Sequence, residues 1–311
     1  PWFVRHRGLA SGIASSGIGA GTLIVPVVAS WLIASLDWRE AMRWMALGVI
    51  LLGSAAAWLL DRDPERRGLA PDGDRLPPRD ASIRALHGAT ETINGAPETI
   101  GGSRHPLPAG LTLGQTVRTR SFAWLYASTL AGGLPMFVPF AHLSASARDS
   151  GIADTEAVAL VGLIGIGSLF GRFGIGFLAD RIGRLLTLVI VEAALGASFL
   201  IWALAHGYLA FAVFAVVFGL SYGGIVSLLP PICTDLYGLR AVSGIIGLLY
   251  TGAAFGALAG PVAAGALFDL AGNYGWALAM CAAGGAVATL SAWRVLQVAG
   301  AGGGAAAPAA T

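Results

Sequence analysis

Long apolar runs separated by short charged turns set the pattern of this chain. Eight runs come close to the ~20 residues that a helix needs to cross a bilayer. They lie at about Leu9–Ser35, Ala41–Leu60, Ser121–His142, Asp154–Leu178, Leu185–Ala205, Tyr208–Ile232, Val242–Phe268 and Tyr274–Leu296. The pattern predicts an all-α integral membrane protein, a bundle of eight transmembrane helices. Between the second and third runs it lapses. Residues 61–118 are dominated by Pro, Gly, Asp, Glu and Arg. They read as a solvated linker, mostly disordered, with a short surface helix at Leu111–Arg120. The Ala/Gly tail, 299–311, also reads as disordered. The expected layout is therefore two helices in 1–60, the linker in 61–118, and six helices in 119–298.

Within the runs, small residues recur one helical turn apart, at Gly12-Ser16-Ala20, Gly17-x-x-x-Gly21 and Gly252-x-x-x-Gly256-x-x-x-Gly260. Such stripes let helix backbones approach closely and give surfaces along which helices can rock. Pro139 and the pair Pro230-Pro231 are expected to break or kink their spans.

Composition narrows the class further. The chain is 56% hydrophobic and 12% charged, where a soluble globule carries about 25% charge. Its net charge of +2 makes no case for nucleic acid. Every basic residue is arginine, which excludes a lysine Schiff base or general base. Cys233 and Cys281 lie in separate runs without metal-ligand spacing and read as small packing residues. There is no Walker-type glycine loop and no H-E-x-x-H. The expectation is a non-enzyme with no cofactor and no metal.

Arginine placement orients the bundle. With Arg5 and Arg7 in the cytoplasm, so are the nine arginines from Arg62 to Arg120, and Arg181, Arg184, Arg240 and Arg294. Arg39, Arg43 and Arg148 fall outside, and Arg172 lies within a run. The positive-inside rule favours this arrangement. It predicts a multi-pass protein of the cell's inner (plasma) membrane, with both termini cytoplasmic and Trp2–Arg7 as an aromatic-basic anchor.

One stretch carries most of the candidate chemistry: Val161–Arg184, VGLIGIGSLFGRFGIGFLADRIGR. Arg172 stands inside the apolar run, and a charge there costs about 2.5–3.5 kcal/mol on insertion scales. Ser168, Arg172, Gly176 and Asp180 recur every four residues, so they share a stripe that should face the protein interior. Leu169, Phe173 and Phe177 form the bulky opposite side. Arg172 lies about 12 Å along the helix from Asp180. A guanidinium offers a carboxylate two parallel hydrogen bonds, which suits an organic anion; snorkelling to the cytoplasmic interface is the structural alternative.

The turn Gly176-Phe-Leu-Ala-Asp180-Arg181-Ile-Gly183-Arg184 resembles the G-x-x-x-D-R-x-G-R signature loop of the major facilitator superfamily. Two spans, a long loop and six spans also resemble the end of an N-terminal half, the central loop and a complete C-terminal half. On that resemblance the chain is expected to be a fragment whose first four helices lie upstream of Pro1. Within the superfamily it is most similar to the monocarboxylate transporter and oxalate:formate antiporter branch. Trp2-Phe3 and Arg7-Gly8-Leu9-Ala10-Ser11-Gly12-Ile13-Ala14 resemble that branch's entry to the fifth helix, and Asp37-Trp38-Arg39 its G-W-R. Val138–Leu143, Phe218–Gly223 through Asp235, and Gly260-Pro261 with Asp269 resemble it too. The resemblance implies that Arg172 is the arginine that binds the substrate carboxylate. Two positions depart. Ser168 stands where proton-coupled members carry aspartate, and Gly252 and Ala253 follow Tyr250-Thr251 where oxalate antiporters carry lysine.

The expected function is secondary active transport of a small organic anion, a monocarboxylate, by symport or antiport with alternating access. A carrier of a neutral solute or drug, or a non-translocating sensor or scaffold, is the alternative. Arg172 and Ser168, with Tyr126, Phe137, Tyr222 and Tyr250 as candidate cavity linings, form the expected substrate site. Gly176, Asp180, Arg181, Gly183 and Arg184 form the expected gate, with Asp180 answering the positive N-terminus of a neighbouring helix near Ser243. Glu192, two turns into the next run, is the candidate proton carrier. The expected partners are the anion, protons and the lipid bilayer. His142 and His206 read as polar residues at extracellular span ends, and Asp235 and Asp269 as caps or anchors.

Overall fold

A computed structural model of the chain describes residues 7–59 and 110–303. The Trp2–His6 edge, most of the linker and the end of the tail lie outside the described residues. Two helices come first: α1, Arg7–Ser35, and α2, Trp38–Leu59. They meet at a short turn in which the Asp37 carbonyl accepts from Ala41 N at 2.9 Å. Nearly all of α2 is exposed, including Trp44, Leu52 and Trp58, as an apolar helix made to face lipid would be.

The second stretch begins at Gly110, whose φ of +142° suits a residue without Cβ. Leu111 N donates to Tyr237 O at 2.9 Å, which holds this segment to the end of a later helix. Thr112 then opens the one-turn helix α3, Leu113–Thr116, with a capping box to Gln115. This is the short helix expected at Leu111–Arg120, reduced to one turn. Six membrane-length passages follow: α4 (Arg120–Met136) with α5 (Val138–Asp149), then α6 (Asp154–Ile182), α7 (Arg184–Ala203), α8 (Tyr208–Tyr237), α9 (Val242–Ala271) and α10 (Gly275–Gly303). Together with α2, these passages make seven that are long and apolar enough to cross a membrane; α1, at 29 residues, has the length for an eighth.

The starts of these helices agree with the apolar pattern, but several ends overrun it. The third passage reaches Asp149 rather than His142. The last reaches Gly303, into what reads from sequence as disordered tail. Apolarity marks only the hydrocarbon layer, whereas backbone hydrogen bonding continues through the interface until something stops it. Here α6 stops at Gly183 (φ +95°) and α9 at Gly272 (φ +68°), conformations that favour glycine.

Pro139 breaks its span as expected: α4 ends at Met136, Phe137 stands between the helices at φ −108°, ψ −7°, and α5 restarts with proline in its first turn. Pro230-Pro231 does not break its span, because α8 runs unbroken through both. Of the break or kink expected at that pair, the break is absent.

The core is built from crossings at glycine. In one, α6 packs on α8; in another, α9 packs on α4; and α10 packs on α7 and α4. A Cβ on Gly167 would lie 2.7 Å from Val216 O, and one on Gly133 2.6 Å from Ala253 O. All three glycines of the Gly252–Gly260 stripe are buried in the α9–α4 crossing. Phe199, Trp202, Phe214 and Phe218 stack through the interior of α7 and α8 with ring centroids 4.9–6.0 Å apart.

Candidate functional site

The crossing of α6 and α8 positions Arg172. A Cβ on Gly171 would collide with Leu220 O, and one on Gly223 with Ser168 O. The two backbones therefore touch at the level of the arginine, and its side chain is held between helices rather than against lipid. Arg172 is 2% exposed. Its Nη2 donates to Ser168 Oγ, one turn earlier, at 3.3 Å. Tyr222 of α8 and Tyr250 of α9 share its electrostatic surroundings. The guanidinium does not snorkel to the interface.

The expected stripe is only half interior. Ser168 and Arg172 are buried, Gly176 is half-buried, and Asp180 is exposed. The opposite side behaves as expected, with Phe173 and Phe177 exposed.

Aromatic rings extend the site. Tyr222 lies parallel to Phe218, centroids 6.3 Å apart, and edge-on to Phe140 at 5.8 Å. Phe140 in turn reaches Phe137 at 5.8 Å. Phe137 is thus linked to Tyr222 through a ring that the sequence reading did not single out as a lining residue. The signal was present, since Phe137 and Phe140 are one turn apart astride Pro139. Tyr126 joins from α4, its hydroxyl 3.3 Å from Thr251 Oγ1, beside Tyr250. The structure therefore brings Arg172, Ser168, Tyr222 and Tyr250 together, Phe137 through Phe140, and Tyr126 through Thr251.

The charged turn closes between α6 and α7. Arg184 Nη1 donates to both oxygens of Asp235, each at 2.7 Å, and so ties this turn to the end of α8. Asp180 is 3.7 Å from Arg184 Nη2. Asp180 thus pairs within its own turn, and the partnership expected with the start of α9 near Ser243 is not seen among the described hydrogen bonds and ion pairs. Arg181 Cζ lies 4.4 Å above the Phe177 ring. A Cβ on Gly176 would meet nothing within 4 Å, so its glycine serves no described packing contact.

Glu192 is buried, 3% exposed, in a different interface from Arg172. His142 Nε2 lies 3.1 Å from Pro261 O, and His206 is exposed. Both cysteines are free and buried. Among the described residues no group of His, Cys, Asp and Glu could hold a metal ion.

The profile of the Major Facilitator Superfamily matches residues 1–191 and 135–310. The MFS transporter asaE of Aspergillus flavus is 28% identical over 274 residues, 88% of this chain and 54% of that protein. Monocarboxylate transporter 2 of Rattus norvegicus is 27% identical over 279 residues, again 88% of this chain and 54% of that protein. The MFS-type transporter hasB of Aspergillus fumigatus is 30% identical over 296 residues, 91% and 59%. The chain spans about half the length of the curated relatives it matches. A crystal structure of the transporter FucP in its outward conformation aligns with 83% of this chain and 66% of that one, at 16% identity and a TM-score of 0.48. That likeness is too loose to argue from.

Proposed function

The chain belongs to the major facilitator superfamily, and on that premise we propose that it carries a small organic anion, a monocarboxylate, across the membrane by alternating access. The observation that carries this reading is the buried guanidinium of Arg172, 2% exposed between α6 and α8. A charge kept inside a membrane span is costly and marks a functional site by default. An arriving carboxylate would meet this guanidinium beside Ser168, Tyr222 and Tyr250. Two parallel N–H···O bonds would hold it, and the rings of Tyr222, Phe140 and Phe137 would pack an apolar body attached to it. One cation with aromatic walls favours a single carboxylate over two. The relatives named as monocarboxylate transporters agree with this reading.

The α6–α7 turn works as the gate in this proposal. Arg184 and Asp235 hold α8 to the turn in one state of the cycle and separate in another. The orientation follows the arginines, with this turn and the linker in the cytoplasm.

Uptake into proteoliposomes tests the reading, with the protein expressed from its full reading frame and labelled lactate, pyruvate or formate outside. Saturable uptake that Arg172→Lys abolishes, in a variant that still folds, is the expected result. Undiminished uptake by that variant removes Arg172 from the site. Uptake of a neutral solute and of no anion rejects the substrate class, and no flux of any solute favours a sensor or scaffold.

A further inference from the structure

Glu192 takes no part in the surroundings of Arg172, yet it lies at a similar depth. The two are eleven and nine residues from Gly183 on successive helices, about 16 and 14 Å along them. The carboxyl of Glu192 lies against Gly132 of α4. A Cβ there would be 3.1 Å from Oε2, 3.3 Å from Oε1 and 3.5 Å from Cβ of Ala288 on α10. The glycine thus leaves the room that the carboxyl fills, in a seam of α4, α7 and α10. One turn away, Ser128 Oγ closes the same seam by donating to Ala288 O at 3.1 Å.

Oε2 makes no hydrogen bond among the described residues, and none of them forms an ion pair with Glu192. The ionisable groups of the surrounding helices are engaged elsewhere or stand at their ends. On α4, Arg120 is the first helical residue, and the Tyr126 hydroxyl is taken by Thr251. On α10, Arg294 bonds Gln297, and Cys281 is a buried thiol. Arg184 of α7 holds Asp235 of α8, while Arg172 of α6 bonds Ser168. Tyr222 of α8 is stacked on Phe218, Cys233 is a second buried thiol, and Tyr237 donates to Ser121. Tyr208 and the other acids and arginine of α6, namely Asp154, Glu156, Asp180 and Arg181, lie at exposed helix ends. A bare carboxylate here would lack a counter-ion, and its Oε2 would lack a donor; the neutral acid is the form that fits.

The same helix also reaches towards the anion site. Next to Gly132, Gly133 takes the α9 backbone, with its Cβ position 2.6 Å from Ala253 O. Tyr126 bonds Thr251, the neighbour of Tyr250. So α4 touches Glu192 with one face and the Tyr250 segment with another, and it ends at the break at Phe137.

We propose that Glu192 is a proton-binding site of the carrier, neutral while α4 is seated against it and ionised when α4 moves off and water reaches the carboxyl. The proposal rests on the transport reading above and adds the coupling ion and its seat. Proton uptake favours the seated position of α4 and release favours the open one, and α4 passes the difference to α9. The proton comes from water on one side and returns to water on the other.

Infrared difference spectra of the purified protein test this without any substrate. The wild type should show a protonated-carboxyl stretch that fades as pH is raised, and Glu192→Gln should lack it. Gly132→Ala crowds the carboxyl without removing it and should change the pH at which the band fades. In liposomes, an inward proton gradient should stimulate wild-type uptake of a labelled monocarboxylate. Glu192→Gln should keep exchange of labelled for unlabelled anion at equal pH and lose all stimulation by the gradient. An ionised Glu192 at every pH, a protonated band that never fades, or full gradient stimulation in Glu192→Gln overturns the proposal. If the wild type takes up no anion, the transport reading fails, and the infrared titration still decides whether Glu192 binds and releases a proton.

Discussion

Arg184 and Asp235, 51 positions apart in sequence, form a two-pronged ion pair in which one nitrogen reaches both carboxylate oxygens at 2.7 Å. The pair ties the α6–α7 turn to the C-terminal end of α8. Its side chains are 37% and 52% exposed, so water screens it. Exposed pairs contribute about 0.2–1 kcal/mol, with good geometry favouring the upper end. A double-mutant cycle with Arg184→Gln and Asp235→Asn should give a coupling of about 1 kcal/mol or less in thermal unfolding. The same single variants should change transport rate by a larger factor than they change stability, if the pair opens in each cycle.

The α6–α8 crossing should tolerate no added methyl group. A Cβ at Gly171 or Gly223 meets backbone, which cannot swing aside. Gly171→Ala and Gly223→Ala are expected to destabilise by about 1–3 kcal/mol or more, the ordinary range for overpacking. Gly176→Ala, with open space around it, should leave the melting temperature nearly unchanged. Equal effects at Gly176 and Gly223 would contradict the crossing.

Replacement of Arg172 by lysine keeps the charge and loses the two-pronged geometry. A charge-assisted hydrogen bond contributes about 1.5–3 kcal/mol, so uptake efficiency should fall by at least about tenfold. Ser168→Ala removes only a 3.3 Å contact to that guanidinium and should raise KM a few-fold.

Phe140 bridges Phe137 and Tyr222. Phe140→Leu is expected to raise KM more for anions with a bulky apolar body than for formate. A uniform change across substrates would show that the ring only supports the helices.

Tyr274, in the turn before α10, packs on Phe268 at 4.5 Å. Burial raises its phenol above the usual range, and the charge of Asp149 adds to this. The folded state therefore keeps this proton at pH values where the unfolded chain has lost it. Stability from this group is full below about pH 10 and declines as pH rises above that value. Tyr274→Phe should flatten this alkaline part of the stability profile, read as melting temperature against pH.

Sequence alone was enough to determine the class: an all-α membrane protein, the start of each passage, an arginine inside one of them and a charged turn after it. These follow from local partition between water and hydrocarbon, which runs of side chains report directly. Where each polar group points was decided by tertiary structure. Hydropathy cannot distinguish a helix face that meets lipid from one that meets protein, because both are apolar. The choice came from the room that Gly132 leaves for the Glu192 carboxyl and from backbone approach at Gly171 and Gly223, which holds Arg172 in another seam. For the same reason the spacing of Phe137 and Phe140 was legible, but not that Phe140 meets Tyr222, nor that Arg184 meets Asp235. Each depends on which helix lies next to which, and in this chain that is set by where a missing side chain lets two backbones touch.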